Sequence, residues 1–578
     1  MKKNNLKAGL LFGILLVFGN SCKEEFLEVT PNGALDAKVL ATKDGVDALL
    51  IGAYAMVDGV ASNGFGWEAA SSNWVYGSIR GLEANKGTDS GDQPDINPLQ
   101  QYNEDPTNPY INIKWRSVYD GIARCNSALT VLAEAEASGA VTTAEAESFR
   151  KQARTLRGYY HLEAYRMWTK IPYVDENTDQ STLTNDDDII AKVIADLQEG
   201  TSLPNNMGQV GRFNGTVAKV LLAKAQMQMN KDYAAAKTLL EDVIASGTAP
   251  DGSPIGLEPK FGDVFDAANR NGIEAIYTVQ YSVNDGSGGW NAGWGEVLNF
   301  PYKSGGSPGG CCGFFQPAHE FVNSFRTSGG LPLLDFSYNS QPVKDDQGLG
   351  VADPFTEDTG PLDPRLDWTV GRRGVPYLDW GPHTGQDWIR DQSYAGPYSP
   401  MKQVYKKSQE GQLTEVGNWT SGWTANGYRL IRFADVKLLL AECMIETGDL
   451  SGARDEVNDI RNRAANSAGF VKEADGTTNA ANYVINPYPA SGAPFDTQTN
   501  ARAALYMERK LELGMEGHRY FDLQRWGIVQ TELNRVLAYE KTLRSTLYGS
   551  ATVGPEDVNF PIPQDQIDIT VGKLKQNR

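Results

Sequence analysis

Three features of the sequence have residue types and spacings that could do chemistry. The first is GGSPG, residues 305–309, which has the G-x-S-x-G spacing of a nucleophile elbow. An elbow needs the backbone N–H of the residue after the serine for its oxyanion hole, and here that residue is Pro308, which has none. The second is ERKLELGMEGHRYFDLQRW, where Glu508, Glu512 and Glu516 recur every four residues and His518 follows as a possible base. Such a ladder of like charges repels itself unless Arg509, Arg519 and Arg525 interleave with it, and a helix–helix ion network is the preferred reading. The third is a pair of carboxylates, all that a glycosidase would need, but 72 acidic residues give no means of choosing two. The four histidines (161, 319, 383 and 518) are scattered, without metal-ligand spacing. No catalytic residue, metal or cofactor is therefore assigned.

Binding chemistry is better represented. Seven of the twelve tryptophans (290, 294, 368, 380, 388, 419 and 423) fall in one Gly/Pro/Asn/Asp-rich region, residues 250–430. The C–H face of a pyranose ring packs on an aromatic ring, and its hydroxyls take hydrogen bonds from Asp, Asn, Gln and Arg at the rim. Trp290 and Trp294 in GGWNAGWGE, Trp380 and Trp388 in DWGPHTGQDW, and Trp74, Tyr76 and Asp89 near the N-terminus have that mixture. The competing reading for each aromatic is packing under a long loop. Because the excursion tryptophans are loop-borne, replacing them should weaken binding with little effect on stability.

The N-terminus addresses the chain. Lys2, Lys3 and Lys7 precede a twelve-residue apolar run, Ala8–Gly19, shorter than the roughly 20 residues that span a bilayer. Gly19 and Ser21 lie just before Cys22, a loose lipobox, so the start resembles a bacterial lipoprotein signal in which Cys22 is lipidated and becomes the mature N-terminus. The plainer alternative is an ordinary secretory signal. Lys23, Glu24 and Glu25 resemble the acidic export signal of lipoproteins facing the cell exterior.

The chain has 578 residues and a formal charge of −19; loss of residues 1–21 removes three lysines and makes it −22. Such acidity argues against nucleic acid as a partner. Cys125 and Cys443 fall on apolar helical stripes and should be buried. Cys311 and Cys312 are adjacent, and a vicinal disulfide, strained by the short Cα separation across one peptide, is as compatible as two free thiols.

The elements that must position these residues are mostly helical. Lys219–Ile244 and Lys437–Ile460 align with each other as helix–turn–helix pairs of tetratricopeptide (TPR) type. The functional reading is a peptide groove; a packing scaffold is preferred, because the repeats are far apart in sequence. Thr142 and Glu145 predict a capping box before a helix with the stripe Phe149, Ala153, Leu156, Tyr160, Ala164 and Met167. On another face of that helix, Arg150, Arg154, Arg157 and His161 are expected to pair with neighbouring acids rather than bind an anion. Residues 44–57, 187–198 and 502–515 also read as helical, 274–283 as a strand, and PAHEFVNSF as a short helix. The resulting division is a signal at 1–21, a helical part at 22–249, the loop-rich excursion at 250–430 and a second helical part at 431–578.

RTLRGYYHLEAYRMWTKIPYV, RFADVKLLLAECMIETGD, ERKLELGMEGHRYFDLQRWG and NFPIPQDQIDI together resemble, in order and spacing, the SusD/RagB family of outer-surface nutrient-binding lipoproteins. The lipoprotein start and residues 73–93 fit as well. The resemblance implies a mainly α fold, four TPR-like units forming a helical frame, and an irregular ligand-binding face with a few short strands. It implies binding of a nutrient without cleavage, with an oligosaccharide favoured by the aromatic excursion and a peptide as the alternative; a surface glycoside hydrolase ranks last. It also implies a lipid anchor in the outer membrane and a partner, a SusC-like TonB-dependent transporter barrel.

Overall fold

The computed structural model describes residues 37–60, 66–303, 306–417 and 420–578. The signal segment, Cys22 and Trp419 lie outside the described residues. Eight helices form four packed pairs: α1 (Lys43–Ala55) with α2 (Pro109–Ser138), α3 (Thr143–Trp168) with α4 (Ile190–Gly200), α5 (Gly215–Ala225) with α6 (Tyr233–Ser246), and α7 (Phe433–Thr447) with α8 (Leu450–Ala464). Neighbouring pairs pack on one another, α2 on α3, α4 on α5 and α6 on α7. The last contact matters most. The two repeats read from the sequence are separated by the whole excursion along the chain, yet α6 and α7 lie side by side, so the array is continuous in space.

Local sequence explains the pairs. Thr142 and Glu145 form the expected capping box at the start of α3. Asp232 and Asp449, at the two matching turns, accept from Ala235 N and Gly452 N and so cap α6 and α8. Close packing requires a small residue where α3 meets α4: a Cβ on Gly158 would stand 2.8 Å from Leu197 Cγ. Cys125 and Cys443 are buried free thiols. The frame closes with α9 (Gln498–Leu513), packed on α7 and α8, followed by α10 (Arg519–Trp526) and α11 (Val529–Leu543).

Strands are few and serve as fasteners. β1 (Ala84–Gly87), β2 (Ala275–Thr278), β3 (Phe314–Pro317) and β4 (Arg429–Arg432) form two antiparallel ladders, β1 with β3 and β2 with β4. In the second, Ala275 faces Arg432 and Thr278 faces Arg429, so the excursion leaves and returns at one root. In the first, Ala84 faces Pro317 and Gly87 faces Phe314, which ties the N-terminal loop to the excursion. The excursion shares the main apolar core: Trp294, Val297 and Phe314 cluster with Val46, Ile122 and Leu156 of the helices.

Candidate ligand-binding face

Packing decides what each candidate aromatic can do. Trp74 is buried, with its indole N–H donating to Gly295 O at 3.0 Å and its ring edge-on to Phe314 and Phe315. Tyr76 is buried too; its hydroxyl reaches Glu68 O and Tyr110 O, and its ring meets Phe560. Trp388 sits inside the excursion between Tyr377 and His383. These three side chains are core, with no ring face open to a ligand; flanking loop residues make each of them look like a surface group in the sequence. Trp380 is half-buried, its N–H bonded to Tyr405 O at 3.0 Å and Lys407 Nζ lying 5.7 Å from the ring centroid.

Trp290 and Trp294 form one stack. Their rings are 5.0 Å apart and inclined by 22°. Trp294 is the buried half, held by its N–H to Gly289 O at 2.9 Å and packed on Trp423 at 5.1 Å. Trp290 is the outer half and is 64% exposed, the only exposed tryptophan among the described residues. The loop that carries it is polar: Asp285 accepts from Ser287 N and Asn291 Nδ2, and Glu415 accepts from Asn284 N.

A second surface is concave. Tyr302, Gln347, Gln386, Asp387, Arg390 and Asp391 are among the residues lining an open cleft of about 570 Å³, within the roughly 300–1,000 Å³ usual for ligand sites. Tyr302, 36% exposed, is fixed by its N–H to Trp388 O at 2.9 Å, so buried Trp388 supports the cleft from below. Arg390 lies beside the Tyr302 ring, 5.6 Å from its centroid, and pairs with Asp89 at 2.9 Å and Asp92 at 2.5 Å. The β1–β3 ladder brings Asp89 here. Burial works against ionisation of Asp89, but the N–H groups of Asp92 and Gly91 and the Arg390 charge hold its carboxyl below the usual range. Beneath the loop, Lys86 Nζ donates to Asp89 O at 2.7 Å and Asp92 O at 2.6 Å, and burial pulls its ammonium down to about 8. Tyr302 and Arg390 are functional candidates that sequence reasoning missed; their only local signal was a Tyr and an Arg inside a Gly/Pro-rich stretch. Nearby, the structure joins Cys311 and Cys312 as a vicinal disulfide across a cis peptide bond.

The chemically suggestive motifs are structural. Glu508, Glu512 and Glu516 are neutralised, but not by Arg509, Arg519 and Arg525. Arg365 meets Glu508 and Glu512, Arg461 meets Glu508, Arg432 meets Glu512 and Glu516, Arg463 meets Glu512, and Lys402 meets Glu516. Arg509 and Arg525 instead serve Asp522, with Asp435 and Glu442 as their second partners, and Arg519 serves Glu532. His518 lines an internal cavity of about 50 Å³, where desolvation pulls its imidazole down to about 4; that volume is far below a saccharide's needs. Gly517 beside it has φ +75, and a Cβ there would lie 1.8 Å from Ser72 O, so the motif's glycine permits a close backbone crossing. Ser307 donates to Lys303 O at 2.7 Å. Arg150, Arg154 and Arg157 pair with Glu136, Asp196, Glu199 and Glu176, as expected, and His161 bonds main-chain groups of Arg157 and Val174.

Comparison with known proteins agrees with this architecture. The chain is 22% identical to SusD-like protein P25 of Formosa agariphila over 96% of this chain and 95% of that protein. Its fold matches a SusD superfamily protein from Bacteroides vulgatus with a TM-score of 0.64 and 19% identity, covering 93% of this chain and 99% of that one. It also matches surface glycan-binding protein A from Bacteroides thetaiotaomicron in complex with laminarihexaose, with a TM-score of 0.63, 21% identity and the same coverage. A family model described as starch-binding associating with outer membrane matches residues 25–250. The SusD family model matches residues 273–578, more than half of the sequence, and the chain belongs to the SusD family.

Proposed function

We propose that this protein captures oligosaccharides at the outer face of the outer membrane, without cleaving them, and hands them to a SusC-like TonB-dependent barrel. The observation that carries the reading is Trp290, a tryptophan ring left open to solvent on a buried tryptophan, with an amide and a carboxylate in the loop that carries it. A large apolar ring kept at the surface on a rigid support suits the C–H face of a sugar. The Tyr302 cleft supplies a second aromatic edge with hydrogen-bonding groups around it. The glycan complex of the Bacteroides thetaiotaomicron relative supports the ligand class. A binding role without cleavage is supported by the commitment of the Glu508–Glu516 ladder to arginines, by a neutral His518, and by Pro308 after Ser307. Anchoring at Cys22 and the barrel partner rest on the family resemblance.

The test is calorimetry of the full-length protein against an oligosaccharide panel, with product analysis of each mixture, and affinity purification from gently solubilised membranes. Saturable binding, unshortened oligosaccharides and co-purification of a barrel are expected. Shortened products would make the protein an enzyme. Recovery of the lipoprotein alone, with the barrel expressed, would remove the delivery step.

A further inference from the structure

Resting on that reading of the face, we propose that it selects uncharged saccharides and rejects glycans carrying uronate carboxylates or sulfates. The argument is the disposition of charge around the two aromatic surfaces. At the cleft, Arg390 is committed to Asp89 and Asp92 and also donates to Thr88 Oγ1 at 2.9 Å. Lys303, next to Tyr302, is paired with Asp387. Lys86 is turned inward onto two main-chain carbonyls. Asp391, which lines the cleft, enters no ion pair among the described residues; its carboxylate accepts from Tyr394 N at 3.1 Å and Ser393 Oγ at 2.7 Å. Around Trp290 the balance is starker. Asp285 lies in the loop that carries Trp290 and Glu415 is bonded to that loop at Asn284 N, and neither has a cationic partner among the described residues.

A carboxylate or sulfate on a ligand is recognised by guanidinium or ammonium groups with N–H bonds to spare. Here the cations beside the cleft already serve carboxylates, so an anionic ligand meets guanidinium and ammonium charge that Asp89, Asp92 and Asp387 have offset. It also meets Asp391 at the cleft or Asp285 and Glu415 at the platform. Repulsion over these few ångströms lies within the Debye length of about 8 Å at physiological salt, so screening does not remove it. The chain's charge of −19 adds a long-range field of the same sign. For a neutral sugar the same carboxylates are assets, since hydroxyls donate to them in charge-assisted hydrogen bonds.

The experiment is calorimetry of the detergent-extracted full-length protein with laminari-, malto-, manno- and xylo-oligosaccharides, their sulfated derivatives, and oligogalacturonates. A neutral ligand should bind at least tenfold more tightly than its sulfated counterpart. The ratio should shrink in 0.5 M salt and in the triple variant Asp285→Asn, Asp391→Asn, Glu415→Gln. Asn at 391 keeps the local turn, because its carbonyl can still accept from Tyr394 N. Equal or tighter binding of a sulfated or uronic ligand would overturn the selectivity while leaving saccharide capture standing. A neutral preference unchanged by salt and by the triple variant would assign the selection to shape, and the charge assignment would fall. Binding of no saccharide of either charge would remove both the selectivity and the glycan reading.

Discussion

Arg365 of the excursion is buried against Glu508 of α9, its Nη1 2.6 Å from the carboxylate oxygen. The same guanidinium holds Asp363 and Glu512, so one side chain from the loops neutralises two rungs of the C-terminal ladder. The pair therefore fastens the excursion to the helical frame. Removing one partner of a buried ion pair leaves an uncompensated charge, which costs about 3–5 kcal/mol. Arg365→Ala is expected to lower the urea midpoint and Tm accordingly, while saccharide affinity measured well below Tm stays within twofold. An unchanged midpoint would show that the ladder does not need this cation.

The tryptophan stack predicts a division of labour. Trp290→Ala should remove about 1–3 kcal/mol of binding, by analogy with base–aromatic stacking, with Tm unchanged because the ring is exposed. Trp294→Ala removes the support and opens a hole against Trp423, so it should lose affinity and also about 3–5 kcal/mol of stability. Trp388→Ala should behave like Trp294→Ala in stability, since its ring is packed between Tyr377 and His383. Paired calorimetry and thermal melts separate the cases; full affinity in Trp290→Ala would place the ligand elsewhere.

That division also shows what the sequence could and could not convey. Local signals were legible: the Thr142–Glu145 cap, the matching helix–turn–helix pairs at Lys219–Ile244 and Lys437–Ile460, and the helical stripes that bury Cys125 and Cys443. So was the Trp290–Trp294 spacing. Which ring faces solvent was not legible, because Trp423, about 130 residues away in sequence, decides it. A loop-borne ring reads as exposed, and for Trp294 and Trp388 that inference fails: the excursion is thick enough to have its own interior. The partners of Glu508, Glu512 and Glu516 escape the sequence for the same reason, since Arg365, Arg432 and Lys402 arrive through tertiary contacts that helical spacing cannot register. Tyr302 becomes a candidate only once the β1–β3 ladder brings Asp89 to Arg390.

Cys22 predicts the mode of attachment. No helix among the described residues is long and apolar enough to cross a membrane. Acyl chains on a lipidated cysteine add about 0.8 kcal/mol per buried CH₂, and more than one chain suffices for stable anchoring. Cys22→Ala should move the protein to the soluble fraction with its Tm unaltered. Retention of the variant in carbonate-washed membranes would assign attachment to another segment.

Glu296 predicts a pH dependence of stability. Its carboxyl is buried beside the hydroxyls of Tyr281 and Ser72, has no cationic partner among the described residues, and is pushed up by burial from 4.5 to about 7. Between those two values the folded state holds the proton more tightly than the unfolded chain does. Stability is therefore lost as pH rises through that window, and the loss is complete above it. Glu296→Gln keeps the shape and a hydrogen-bonding amide but removes the titration. Relative to the wild type it should gain about 2–3 kcal/mol at pH 8 over its value at pH 4.5, since each tenfold change in proton affinity is worth about 1.4 kcal/mol. Urea unfolding of both proteins at pH 4.5, 6 and 8 reads the difference directly, and background titrations such as that of buried His383 cancel in the comparison. A wild-type-minus-variant difference that stays flat across the three pH values would mean that Glu296 binds its proton no more tightly in the fold than in the unfolded chain, and the burial argument would fall.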